Sequence, residues 1–196
     1  MSSRAIVLII TVAAAIVFFG TLTQAIWYAP GSDLQVPASE TIPREVPPAE
    51  EPVTLRIPKI NINAKIQQTG VNAKGNMGVP TNYSDVAWYK HGTIPGQIGS
   101  AVIDGHVDNG LGLSGVFKNL NKLVAGDDIY VATKTGRELH FVVQSVNSYP
   151  YKSVPLDALF SRTDDARLNL ITCGGTWVKS DKTYDQRFVV YTRLVS

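Results

Sequence analysis

The chain holds a single cysteine, in the run "LNLITCGG" (168–175), where apolar residues deliver Cys173 to the pair Gly174-Gly175. A thiolate is a nucleophile, but an unperturbed thiol with a pKa of about 8.5 is mostly protonated at neutral pH. Nucleophilic work therefore needs a proton acceptor or a positive field beside the sulfur. Three histidines precede the cysteine. His140 lies in "ELHFVVQSV", where Leu139, Phe141 and Val143 alternate inward and leave the imidazole facing solvent. His91 sits in the turn-rich "YKHGTIPG", a surface loop. His106 is different: "SAVIDGHVD" is a strand that ends, like the cysteine strand, in a polar residue beside glycine. Fourteen positions after Cys173, Arg187 opens the alternating run "RFVVYTRL". Arginine stays charged and offers five donors in a fixed fork, so it can hold a substrate carbonyl and steady a developing oxyanion. Arg193, in the same run, is the rival for that role.

Each residue also has a plain structural reading. A lone cysteine is commonly a small buried hydrophobe, and a histidine or arginine at a strand end is commonly a surface group. Both readings of Cys173 stand: a thiol sealed in a core, or one kept for use. The glycine pair favours use, because bare backbone lets a substrate approach closely. Asp104 and Asp108 flank His106 and read as solvated carboxylates.

Other chemistries lose ground. Papain-like enzymes carry their histidine after the cysteine, and no histidine follows Cys173 here. One cysteine and three scattered histidines lack the ligand spacing of zinc sites, and no phosphate loop or dinucleotide fingerprint is present. No cofactor is implied. With 18 Lys+Arg against 16 Asp+Glu, charge gives no argument for nucleic acid.

The elements that must position these residues follow an N-terminal apparatus. After Arg4, the run from Ala5 to Thr23 carries no charge, and as a helix at about 1.5 Å per residue it nearly crosses a ~30 Å hydrocarbon core. Trp27 and Tyr28 follow at the level of an aromatic belt, and the positive end stays inside, which places the rest of the chain outside the cytoplasm. The alternative is a cleaved signal peptide, but this apolar stretch exceeds the usual core of roughly 7–15 residues. Residues 1–29 are thus read as the anchor. Residues 30–52 hold six of the eleven prolines without apolar periodicity and read as an extended extracellular spacer that brings no chemical group of its own.

From residue 53 to 196 short apolar runs alternate with Gly, Pro and Asn. Strands are expected over 54–60, 64–70, 85–89, 100–106, 127–133, 138–146, 166–173 and 187–195, and short helices over 114–123 and 155–160. This mostly β pattern favours a closed barrel of about eight strands over a helix-covered parallel sheet.

Taken together, "LITC", the later "RFVV" and the earlier "GH" resemble a sortase, whose signature is T-L-x-T-C with a histidine upstream and an arginine downstream. The resemblance covers residues 53–196 and extends to "MGVPTNYSDVAWYKHGTIPGQIGSAVIDGHVD", "GVFKNL" and "AGDDIYV". It is greatest to class F, next to classes D and E. Asn169 departs from the pattern, standing where the family often has Thr. The resemblance implies a sortase-type β-barrel and a membrane-anchored cysteine transpeptidase of the Gram-positive cell surface. His106, Cys173 and Arg187 would be catalytic, and Thr172 would contact substrate or support the thiol. The implied partners are LPXTG-like C-terminal sorting signals, cut between Thr and Gly, and a peptidoglycan precursor or other amine. A hydrolase on the same fold and a non-enzymatic wall-binding barrel are the competing classes.

Overall fold

The structure is a computed structural model that describes residues 2–27, 33–41, 45–109, 111–161 and 164–195. Eight strands among them close into one barrel: β1 (Pro52–Ile57), β2 (Ile62–Thr69), β3 (Val86–Tyr89), β4 (Gly99–Gly105), β5 (Asp128–Thr133), β6 (Glu138–Pro150), β7 (Ala166–Val178) and β8 (Thr183–Leu194). Their order around the barrel is β1-β2-β3-β4-β7-β8-β6-β5. The pairs β2–β3 and β4–β7 are parallel and the rest antiparallel.

Strand alternation produces two apolar layers. Inward residues, including Trp88, Ala101, Ile103, Phe141, Leu168, Leu170 and Val190, fill the barrel. The residues between them on the β3–β4–β7–β8 wall, Tyr89, Val102, Ile171, Val189 and Tyr191, point outward and form a second cluster with Leu34, Met77, Leu159 and Phe160. A helix-face or strand-face must bury its apolar side against something, and this outer wall is covered by α2 (Leu156–Phe160) and by part of the spacer.

The hairpin β7–β8 is longer than its sequence suggests. The cysteine strand continues to Val178 and the arginine strand begins at Thr183, so both residues lie inside the hairpin. Trp177 pairs with Tyr184 beyond a bulge between Gly174 and Trp177. The helix expected over 114–123 is absent; a single 3₁₀ turn, Leu120–Lys122, stands there. Phe117, Leu120 and Leu123 are all buried, and their spacing of three is the 3₁₀ period rather than an α-helical stripe. The helix expected over 155–160 is α2.

At the N-terminus, α1 spans Ser3–Trp27, and its stretch Ser3–Thr23 is long and apolar enough to cross a membrane. Tyr28 and the end of the expected anchor lie outside the described residues, as does the Trp27 side chain. The spacer does not stand clear of the barrel. Gln35 bridges to Asn76, the Met77 amide donates to the Leu34 carbonyl at 2.9 Å, and Leu34 is only 6% exposed.

Candidate active site

Register brings the three chemical residues together. In the antiparallel pair β7–β8, Cys173 stands directly opposite Arg187, while the parallel pair β4–β7 sets Asp104 opposite Ile171. His106 follows β4 directly. One cleft is lined by His106, Cys173 and Arg187 together with Asp33, Asp104 and Tyr184.

Period-2 geometry separates Thr172 from its neighbour. Cys173 shares the outer face with Ile171, and Thr172 faces the other way, 1% exposed, its hydroxyl donating to the Gly105 carbonyl at 2.7 Å. That bond ties β7 to the end of β4 beneath the cysteine. The glycine pair has a packing cause as well. A Cβ on Gly174 would lie 2.1 Å from the Phe188 ring, and Gly175 adopts φ +79° at the bulge.

His106 is 7% exposed, and its Nε2 lies 3.0 Å from the Pro80 carbonyl. A carbonyl only accepts, so Nε2 carries the proton in the neutral ring and Nδ1 is the nitrogen left to act as base. Burial lowers the imidazole's proton affinity, against the raising influence of the Pro80 carbonyl and Asp108. Burial pushes the Cys173 thiol up to about 12; Arg187 pulls it down, while Asp104, Asp33 and Asp108 push it further up. The resting pair is therefore thiol and neutral imidazole, and no hydrogen bond joins them among the described residues.

Arg187 is 3% exposed, and both its terminal nitrogens are engaged. Nη1 donates to the carbonyls of Tyr184 (2.9 Å) and Gln186 (2.7 Å). Nη2 donates to both Asp33 oxygens, at 2.5 and 2.6 Å, and to Thr183 Oγ1 at 2.7 Å. Asp33 gives the spacer a chemical group after all. It occupies the Arg187 fork and pushes the thiol's pKa up, against the larger downward pull of the arginine. On the other side of the cleft, the Tyr184 hydroxyl donates to the Asp108 carboxylate, so Asp108 is bonded rather than merely solvated. Asp104 is likewise no surface carboxylate: burial lifts it to about 7 against the opposing pull of Arg187.

The remaining sequence-selected residues lie elsewhere. His140 pairs with Asp128 at 2.8 Å and stacks on Tyr130 at 4.7 Å, on the β5–β6 wall. His91 is half-buried rather than a free loop residue, its ring packed against Gly70. Arg193 is 59% exposed and bonds Asp165 at 3.2 Å, at the far end of β8. Sequence reasoning missed Tyr184, because strict alternation places a residue three before Arg187 on the opposite face and the bulge between Gly174 and Trp177 that changes the register carries no plain mark in the sequence. It also missed Asp33, which is 154 positions from the arginine it contacts.

The geometry yields a direct expectation about thiol reactivity. Asp33→Ala frees the guanidinium, so the Cys173 pKa falls; each unit of fall raises the thiolate fraction about tenfold below the pKa. Alkylation of Cys173 by iodoacetamide at pH 7.5 should accelerate by about three- to tenfold. An unchanged rate would show that Asp33 does not control the thiol.

The Sortase domain family matches residues 55–195. No curated protein sequence matches the chain. Among solved structures it is similar to sortase A from Corynebacterium diphtheriae, with 22% identity and TM-score 0.56 over 74% of this chain and 62% of that one. It is similar also to a Clostridium perfringens sortase D5 transpeptidase, with 20% identity and TM-score 0.55 over 74% of this chain and 79% of that one. A third is Streptococcus agalactiae sortase C1 in complex with MTSET, with 20% identity and TM-score 0.56 over 74% of this chain and 67% of that one. At these identities the likeness is one of fold, and it reaches sortases of classes A, C and D. The match to the family across the whole barrel is what assigns the protein: the chain belongs to the sortase family.

Proposed function

We propose that the chain is a membrane-anchored cysteine transpeptidase, closest to class F, that cuts an LPXTG-like sorting signal between Thr and Gly and joins the protein to a cell-wall amine. The observation that carries this reading is the register pairing of Cys173 with Arg187 in a cleft shared with His106.

The chemistry follows from the atoms. Nδ1 of His106 takes the Cys173 proton as the thiolate attacks the threonine carbonyl carbon. The oxyanion of the tetrahedral adduct takes the place of the Asp33 carboxylate on the Arg187 fork. Collapse breaks the C–N bond; His106 returns its proton to the departing glycine amine, and a thioester remains. A neutral amine then attacks that carbonyl, loses its proton to His106, and expels the thiolate as the new amide forms. The thioester conserves the energy of the cleaved amide, so no nucleotide is required. Apolar walls from Leu34, Val79 and Ile171 line the cleft and favour an extended peptide bearing aliphatic side chains. The apolar stretch of α1 supports a single-pass anchor, and the positive charge of Arg4 before it favours the barrel on the outer side.

The test is a sorting peptide incubated with the full chain in detergent, with and without a glycine-based amine, and read by mass spectrometry. The expected result is a Cys173-linked acyl adduct 18 Da lighter than the sum of enzyme and acid product, and diversion of product to the amide when the amine is present. Release of the free acid alone, unaffected by amine, would favour the hydrolase reading instead.

A further inference from the structure

The outer wall beside the nucleophile has an apolar floor, and of its polar side chains other than Asp104, Asn169 donates to the Leu159 carbonyl and Arg187 to Asp33. Val102, Ile171, Val189 and Tyr191 form its floor, and Asp104 stands at the edge nearest Cys173. Asp104 is level with Ile171, and Cys173 is two residues further along β7 on the same face. Two residues of strand span about 7 Å and the neighbouring strand is about 4.8 Å away, which puts the carboxyl within one side chain's reach of the thiol. The thiol and the Asp104 carboxyl each respond electrostatically to the other's surroundings, Arg187 above all.

Nothing in the chemistry of bond cleavage uses this group. Among the described residues it makes no salt bridge, because the Arg187 fork is held by Asp33, and the hydrogen bond it accepts comes from the Gly105 amide. Its remaining acceptor capacity faces the cleft.

In an acyl-enzyme the carbonyl carbon is bonded to Sγ, so the side chain of the acyl residue begins one bond further on. A short side chain there meets the edge of the wall where Asp104 stands, whereas a lysine or arginine would overshoot it. A hydroxyl is the short group that pairs with a carboxyl in either protonation state, accepting from the acid or donating to the carboxylate. Resting on the transpeptidase reading above, we propose that Asp104 is a specificity-determining residue that reads the hydroxyl of the residue whose carbonyl Cys173 attacks. A site built to bond a hydroxyl discriminates strongly against an analogue that lacks it, because its own polar group is then left unpaired.

The test compares two sorting peptides that differ only in Thr or Val at the cleaved residue, which match in shape but not in the hydroxyl. Using the full chain in detergent, kcat/KM is measured for the wild type, Asp104→Ala and Asp104→Asn, with Cys173 alkylation as a check that the thiol is intact. The wild type should prefer Thr by about 100-fold, the effect of leaving one buried acidic group without its hydrogen bond. Asp104→Ala should bring the two peptides within about threefold, by losing rate on Thr relative to Val, and Asp104→Asn, which still offers a hydrogen bond, should fall between. A preference that survives unchanged in Asp104→Ala, or in Asp104→Asn if the alanine variant fails to fold, overturns the assignment while leaving the transpeptidase reading intact. Cleavage of neither peptide by the wild type overturns both.

Discussion

Cys173→Ala is expected to abolish peptide cleavage and acyl transfer together, and Cys173→Ser to leave only traces. Both losses follow from the same requirement, that the attacking atom be an anion at the moment of bond formation. Burial holds the thiol at about 12, so the resting enzyme at pH 7 contains almost no thiolate. Substrate must shift that balance by displacing Asp33 and bringing Nδ1 of His106 into play. An alkoxide, whose parent hydroxyl is a far weaker acid, is out of reach of an imidazole whose basicity burial has already lowered. The sign of the pH dependence is fixed by the raised pKa: alkylation of the resting wild type should climb with every unit of pH from 7 to 10, without a plateau. His106→Ala should cost turnover almost as much as Cys173→Ala. His140→Ala should cost little, since His140 is committed to Asp128 on the β5–β6 wall, away from the cleft. A plateau near pH 7, or full turnover in His106→Ala, would refute a neutral thiol–imidazole pair.

The barrel was legible because its signal is local. Alternation in "SAVIDG" or "RFVVYTRL" is a property of a few consecutive residues, and all eight expected strands are present, with ends that shift by up to five residues. The same rule, carried one step further, exposes what the sequence reading passed over. If Leu168 and Leu170 face the barrel interior, then Cys173 and Ile171 face out, Thr172 faces in, and Asp104 belongs to the cysteine's face. The 114–123 segment misled because Phe117, Leu120 and Leu123 recur every third residue, a spacing that helical and 3₁₀ periods share over so short a run. Asp33 was beyond reach. Its partner is 154 positions away, and a proline-rich stretch of ordinary composition carries no local mark of a docking contact. It docks because the outer wall needs cover that Leu34 supplies, and because a buried guanidinium needs a counter-charge.

Arg187→Ala should lower kcat/KM by about 10²–10³-fold, the loss seen when one preorganised oxyanion donor is removed. Arg187→Lys should recover only part of it, because an ammonium keeps the charge but not the planar fork that now grips two Tyr184 and Gln186 carbonyls with one nitrogen and the Asp33 carboxylate with the other. Arg193→Ala should leave the rate within twofold: six residues along β8 amount to about 20 Å, and its guanidinium is exposed on Asp165. The decisive comparison combines Arg187 with Asp33. If Asp33 acts mainly by occupying Arg187, the acceleration of Cys173 alkylation in Asp33→Ala must shrink when Arg187 is already alanine, to the part that Asp33's own charge contributes. Two residues in contact that share one effect give a large coupling in such a cycle, and independent residues give none. Iodoacetamide rates for the wild type, both single variants and the double variant, with circular dichroism to confirm folding, measure that coupling directly. Additive effects would mean that Asp33 acts on the thiol through its own charge and not through the arginine, and near-normal turnover in Arg187→Ala would remove the arginine from the chemistry altogether.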